Sequence, residues 1–157
     1  AIVRYPVAFV LTLFRMTPPL LQLYLVFFGI GSLLAVRGIT LDAVAIGILV
    51  LSLYAGSANA VALSEAALAV QTVSNDRLRR IARIAYPAVL GNCINIVKAT
   101  AMVSAIAVGE LLYASTSIIA DFGNGAVMMS IVLLCYVGLV ILVVYLFSFV
   151  EKWALRP

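Results

Sequence analysis

Four runs of apolar residues, each close to the length of a membrane crossing, divide the chain. They cover Pro18 to about Ala35 (PPLLQLYLVFFGIGSLLA), Leu41 to about Leu63, Tyr86 to about Val108, and Gly125 to about Val150. A hydrocarbon core of about 30 Å needs about 20 mainly apolar residues in one helix. Strands of a lipid-facing barrel would alternate apolar with polar residues, and these runs do not. The pattern therefore predicts four membrane helices. Ahead of them, residues 1–16 (AIVRYPVAFVLTLFRM) are too short and too interrupted for a span. Arg4 and Arg15 flank an apolar stretch there, and Pro6 suits a helix start. An interfacial helix leading into the first span is expected.

Composition places the chain in a bilayer. Of its 157 residues, 66% are hydrophobic and 10% charged, with a mean hydropathy of +1.23. A soluble domain has about half its residues apolar and a quarter charged. A larger core cannot absorb the excess, because a small chain exposes much of its surface. The net charge of +4 is modest and its arginines are clustered, which speaks for topology and against nucleic-acid binding. Residues 74–83 hold Arg77, Arg79, Arg80 and Arg83 with Asp76 as their one acid, and the tail adds Lys152 and Arg156. The loops at 37–42 and 109–124 hold Arg37 against Asp42, Glu110 and Asp121. Positive residues favour the cytoplasmic side. Residues 1–16, 74–83 and 151–157 are therefore expected inside, as four alternating spans allow.

The second and third runs are rich in small residues. Ala55, Gly56, Ser57, Ala58, Asn59 and Ala60 would let helices approach closely, while Ser57 and Asn59 could instead line a pore. Cys93 and Cys135 lie in apolar runs and read as buried small hydrophobes rather than a disulfide or redox pair. The sequence has no histidine and no cluster with metal-ligand spacing, so neither a metal nor another cofactor is expected. Between the second and third runs, Ser74 and Asp76 can cap a short helix starting near Arg77. Leu78, Ile81, Ala82 and Ala85 recur at helical spacing, which gives that helix an apolar and a cationic face. Pro87 then suits the start of the next span. Such a helix either anchors a short loop or docks in a groove of a soluble partner, and periodicity does not separate the two.

Three stretches carry a family resemblance. RMTPPLLQLYLVFFG, from Arg15 to Gly29, resembles the R-G-T-P-L-L-x-Q-L-x-x-x-x-F-G run of polar-amino-acid ABC transporter permeases. KATAMVSAIAVGEL, from Lys98 to Leu111, resembles their K-D-T-S-L-V-S-V-I-G-V-x-E-L, with Lys98 and Glu110 at the family spacing. SNDRLRRIARIAYP, from Ser74 to Pro87, resembles the end of their cytoplasmic "EAA" loop, G-L-S-R-W-x-x-F-R-R-V-x-L-P. The last helix ends in Glu151 among basic residues, a weaker likeness. There are departures: Glu65-Ala66-Ala67 is out of register with the loop's core, the stretch from Pro87 to Lys98 is shorter than in the family, and Ala99 replaces an aspartate. The chain begins at Ala1, and by the resemblance it is expected to be a fragment or divergent copy lacking the family's first helix.

The resemblance implies an all-α polytopic bundle, with residues 1–157 as one permease domain and residues 74–86 as its cytoplasmic coupling loop. It implies a binding-protein-dependent importer of a polar amino acid in the cytoplasmic membrane. Two permease subunits would pair around a path, a separate ATPase would take the loop helix, and an extracytoplasmic solute-binding protein would deliver the substrate. Arg77, Leu78, Arg79, Arg80, Ile81 and Arg83 would meet the ATPase. The chain has no G-x-x-x-x-G-K-[ST] run, so it is not expected to be an enzyme. Lys98 reads either as a pore-facing cation for a substrate carboxylate or as a lysine snorkelling to the interface. Gln22, Thr100 and Ser104 could add polar contacts, although Thr and Ser often bond back to their own helix. Two other readings compete: a transporter or channel subunit without an ATPase, and a non-transporting or degenerate membrane protein.

Overall fold

A computed structural model describes residues 9, 12–70 and 76–155. Most of the expected lead-in helix, and Ser74 of the expected loop cap, lie outside these residues. Every regular element among the described residues is helical. We number them α1 (Pro19–Ala35), α2 (Ala43–Ala69), α3 (Arg77–Ala99, continued by a 3-10 segment Thr100–Ile106), α4 (Leu111–Phe122) and α5 (Gly125–Val150, continued by a π turn Glu151–Leu155).

Among the described residues three helices are long and apolar enough to cross a membrane: α2, α3 with its extension, and α5. The first predicted span is shorter. At 1.5 Å per residue α1 rises roughly 25 Å, less than the core it would cross, so a fourth crossing depends on α1 alone. Its middle, Leu25–Ile30, is π-helical, with Gly31 donating its amide to the Val26 carbonyl five residues back. Prolines 18 and 19 separate it from a helical turn at 12–16. Neither proline has an amide hydrogen to give that turn.

The core forms where the start of α1, the first half of α2 and the end of α3 converge. Leu23, Ile46, Val50, Leu51, Ala99, Val103 and Ile106 are buried together there. The α2–α3 pair is an antiparallel hairpin whose register three positions mark. A Cβ on Gly47 would stand 3.0 Å from Val103 Cγ1. Asn92 Nδ2 donates to Asn59 Oδ1 at 2.8 Å. Buried Ala66 and Ala85 occupy mirrored positions nearer the connection. Gly56 has open space at its Cβ, so close approach is made at Gly47 and not at Gly56. Ser57 is fully buried and bonds back to the Tyr54 carbonyl. Ser57 and Asn59 thus serve helix packing in this chain.

Two boundaries differ from expectation. The Arg-rich segment is not a separate short helix: α3 runs unbroken from Arg77 through Pro87 into the span. Pro87 brings no amide hydrogen to the ladder, and it stands exposed inside the continuous helix. The loop expected at 109–124 is largely helical, because Glu110 caps α4 by accepting from the Leu112 and Tyr113 amides, each at 2.8 Å. Asp42 likewise caps α2 through Ala45. Cys93 is half-buried, Cys135 is exposed, and both are free thiols. A bilayer accepts a small exposed hydrophobe that water would not, so the expected burial fails without cost.

Candidate functional site

At one end of the bundle aromatic side chains give way to charged ones on two helices. Tyr86 on α3 packs against Phe147 on α5, with ring centroids 6.0 Å apart, and its hydroxyl reaches Glu151. Beyond that level both helices turn charged, with Arg77 to Arg83 on α3 and Glu151-Lys152 on α5, and Trp153 stands 81% exposed. Tyrosine and tryptophan favour the bilayer interface.

Measured from Tyr86, Lys98 lies roughly 18 Å along the axis. The 3-10 continuation to Ile106 carries α3 about 15 Å further. With α3 crossing a ~30 Å core, Lys98 would lie farther from either boundary than its four-carbon stem reaches. Its side chain is nevertheless exposed on the surface of the chain. Asn95, one turn earlier on the same face, is exposed as well. The sequence reading missed Asn95, although its spacing of three from Lys98 was the available signal. A cation at this depth does not face lipid without a large penalty; such residues face protein or water.

The other predicted path residues make their hydrogen bonds to groups other than Lys98. Thr100 and Ser104 are half-buried and donate to the Val97 and Ala101 carbonyls at 2.7 Å each. Gln22 is only 7% exposed, and its Nε2 donates to the Phe14 and Thr17 carbonyls at 2.8 Å each and to Thr17 Oγ1 at 3.1 Å. Phe14 is the residue whose carbonyl Pro18 would serve if it had an N–H. Gln22 thus closes the break made by the two prolines, a repair by side chain that membrane helices require. Its Oε1 is buried without a partner.

Glu110 anchors a second polar cluster. Besides capping α4, its Oε2 accepts from the Tyr136 hydroxyl at 3.1 Å, and Tyr136 is also within hydrogen-bonding reach of Thr100. The cluster ties α3, α4 and α5 together at the end of α3 remote from the arginines. Tyr136 was not singled out from sequence, since a tyrosine in an apolar run reads as packing.

The arginine-rich head of α3 is split in character. Ala85 is buried and Ile81 and Ala82 are half-buried against the chain itself, whereas Leu78 is 80% exposed. Ile81, expected as a free docking anchor, is therefore already partly used inside the molecule. Asp76 occupies the N-cap position of α3 without a capping side-chain bond. Arg77 and Arg80 are exposed, as are Arg79 and Arg83, the latter two with interactions of their own. No protein-family model, no characterised protein and no solved structure matches the chain.

Proposed function

We propose that this chain is the permease subunit of an ABC importer that moves a polar amino acid across the cytoplasmic membrane. It would work with a separate ATPase, a second permease subunit and an extracytoplasmic solute-binding protein. One observation carries the reading: Lys98 and Asn95, three residues apart on α3, are both exposed on the surface of the chain, and with α3 as a span Lys98 would fall roughly 18 Å inside the Tyr86 level. An unshielded lysine there calls for a second protein surface or a water-filled path, and a path between two permease subunits supplies both. A carboxylate passing along it would meet the ammonium in a charge-assisted contact. Glu110, held by two amides and Tyr136, acts as a fixed point around which α3, α4 and α5 keep their arrangement. The sequence likeness from Arg15 to Gly29 and from Lys98 to Leu111 supports the family part of the reading. Arg77 and Leu78, at the far end of α3, are the first contacts for the ATPase, and ATP-driven closure would tilt α3 as one rod.

The test uses the complex assembled in vesicles with its ATPase and solute-binding protein. Lys98→Met keeps most of the volume and removes the charge. Uptake at limiting substrate should fall at least about tenfold, the scale of a lost hydrogen bond to a charged group, while membrane insertion is retained. Leu78→Asp should separately abolish capture of the ATPase. Unchanged uptake by Lys98→Met removes the path residue, and failure of the wild type to capture any ATPase ends the importer reading.

A further inference from the structure

α4 has 12 residues and rises roughly 18 Å, too little for a core of about 30 Å. Such a helix can lie flat across the end of the bundle or stand alongside its neighbour. The contacts place it alongside α5. Near the connection, a Cβ on Gly125 would stand 3.7 Å from Ile119 Cγ2. At the start of α4, Glu110 Oε2 accepts from the Tyr136 hydroxyl at 3.1 Å. The two contacts run backwards along α4 and forwards along α5, so the helices form an antiparallel hairpin. Gly123 and Asn124 close it, with φ of 73° and 65°, and Ser115 of α4 and Val132 of α5 are buried along its length. Tyr136 stands roughly 16 Å along α5 from Phe147, and about as far from Gly125. With α5 as a span, the Glu110 carboxylate would therefore lie inside the core and not at its edge. Its polar groups are paired as that position demands. Oε1 accepts from the Tyr113 amide, and Oε2 accepts from the Leu112 amide as well as from Tyr136. The hydroxyls of Ser115, Thr116 and Ser117 all donate to carbonyls of α4 itself.

We propose that α4 is a half-helix immersed in the membrane, and that Leu111, Ile118 and Phe122 form its contact surface for lipid acyl chains. These three recur at i, i+7 and i+11, which puts them on one strip of the helix. All three are exposed, Phe122 by 83%. Buried Ser115 and half-buried Leu112 and Ile119 occupy the neighbouring face, against the bundle. The strip continues the surface that α5 presents along the same stretch, where Ile131, Leu133 and Leu134 are exposed. A second protein helix fits the strip less well. Membrane helices meet at small or polar residues, and the strip has neither. Water fits it least, since three large apolar side chains would stay unburied there.

The surface is tested on the whole chain in phosphatidylcholine nanodiscs, with Cys93 and Cys135 changed to alanine and one nitroxide label introduced at a time. Collisions with oxygen, which concentrates in hydrocarbon, are compared with collisions with a water-soluble nickel chelate. Labels at Leu111 and Ile118 should favour oxygen as strongly as a label at Leu134 of α5, and a label at Arg77 should favour the nickel chelate. Ile118→Asp, made without a label, should lower the Tm in the same nanodiscs, because it sets a charge against acyl chains. Ile118→Phe should keep the wild-type Tm. The proposal is overturned if the α4 labels favour the nickel chelate as Arg77 does, which would put α4 in water. It is also overturned if they collide with neither reagent, which would give the strip to a protein partner, or if Ile118→Asp leaves the Tm unchanged. The inference uses only α4, α5 and the membrane, so it stands or falls separately from the importer reading.

Discussion

α2 and α5 are both membrane-length helices, yet they use their residues in opposite ways. α2 buries Ile46, Gly47, Val50, Leu51, Ser57 and Ala66, while α5 buries Val132 alone. α5 is nonetheless dominated by large aliphatic side chains: Leu133, Leu134, Leu139, Ile141 and Leu142 are all substantially exposed. In water this would be an inversion. In lipid, tails are as apolar as leucine and no hydrophobic force pulls helices together. Contact is instead made where backbones can approach or polar groups can pair, as at Gly47 and Asn59. Along α5 apolarity goes with exposure, whereas α2 buries large aliphatics as well, and Gly47 and Asn59 mark its contacts with α3.

The sharpest way to break this contrast is to place a charge on the lipid face of α5. Leu139 is exposed, about eight residues inside the level of Phe147, or roughly 12 Å into the core. Leu139→Arg should cost about 2.5–3.5 kcal/mol of insertion free energy, read as lost membrane integration in a glycosylation-reporter assay. Full integration would mean that this face of α5 is covered by protein or water and not by lipid.

A smaller effect separates the two helices by volume. A leucine at Gly47 would collide with Val103, so Gly47→Leu should lower stability by about 1–3 kcal/mol, the usual cost of overpacking. Gly138 on α5 has nothing within 4 Å of a Cβ, and Gly138→Leu should leave the Tm within a degree or two. The paired Tm measurements in lipid-like detergent check both. Equal losses would dissolve the distinction between a packed and a lipid-facing span.

The smallest expected effect concerns the Asn59–Asn92 bond. Asn59→Leu should cost about 0.6–1.7 kcal/mol, the range for polar pairs between membrane helices. The Asn59→Leu, Asn92→Leu double variant should recover part of that loss, since no polar group is left unpaired. Strict additivity in the double-mutant cycle would show that the two amides stabilise the hairpin independently.

What the sequence determined by itself is the solvent and the secondary structure. Runs of this length and apolarity fit lipid, and lipid forces backbone groups to pair within the segment, so helices follow without reference to partners. The arginine asymmetry marked one end of the bundle, and Lys98 stood out because a charge inside such a run is costly wherever it points. Only the tertiary structure decided which residues meet. Glu110 is an uncommon capping residue and so left α4 hidden in an expected loop, and Pro87 read as a helix start although it stands inside α3. Gln22 stood out as a polar residue in an apolar run, and the broken turn at Pro18-Pro19 supplies acceptors for its amide. Asn92, Tyr136 and Gly47 each acquire their role from a neighbour more than 25 residues away in sequence. Periodicity within a run gives each residue a face, but pairing of faces depends on the register between helices. In a membrane that register is set by a few small and polar contacts, which no single run contains.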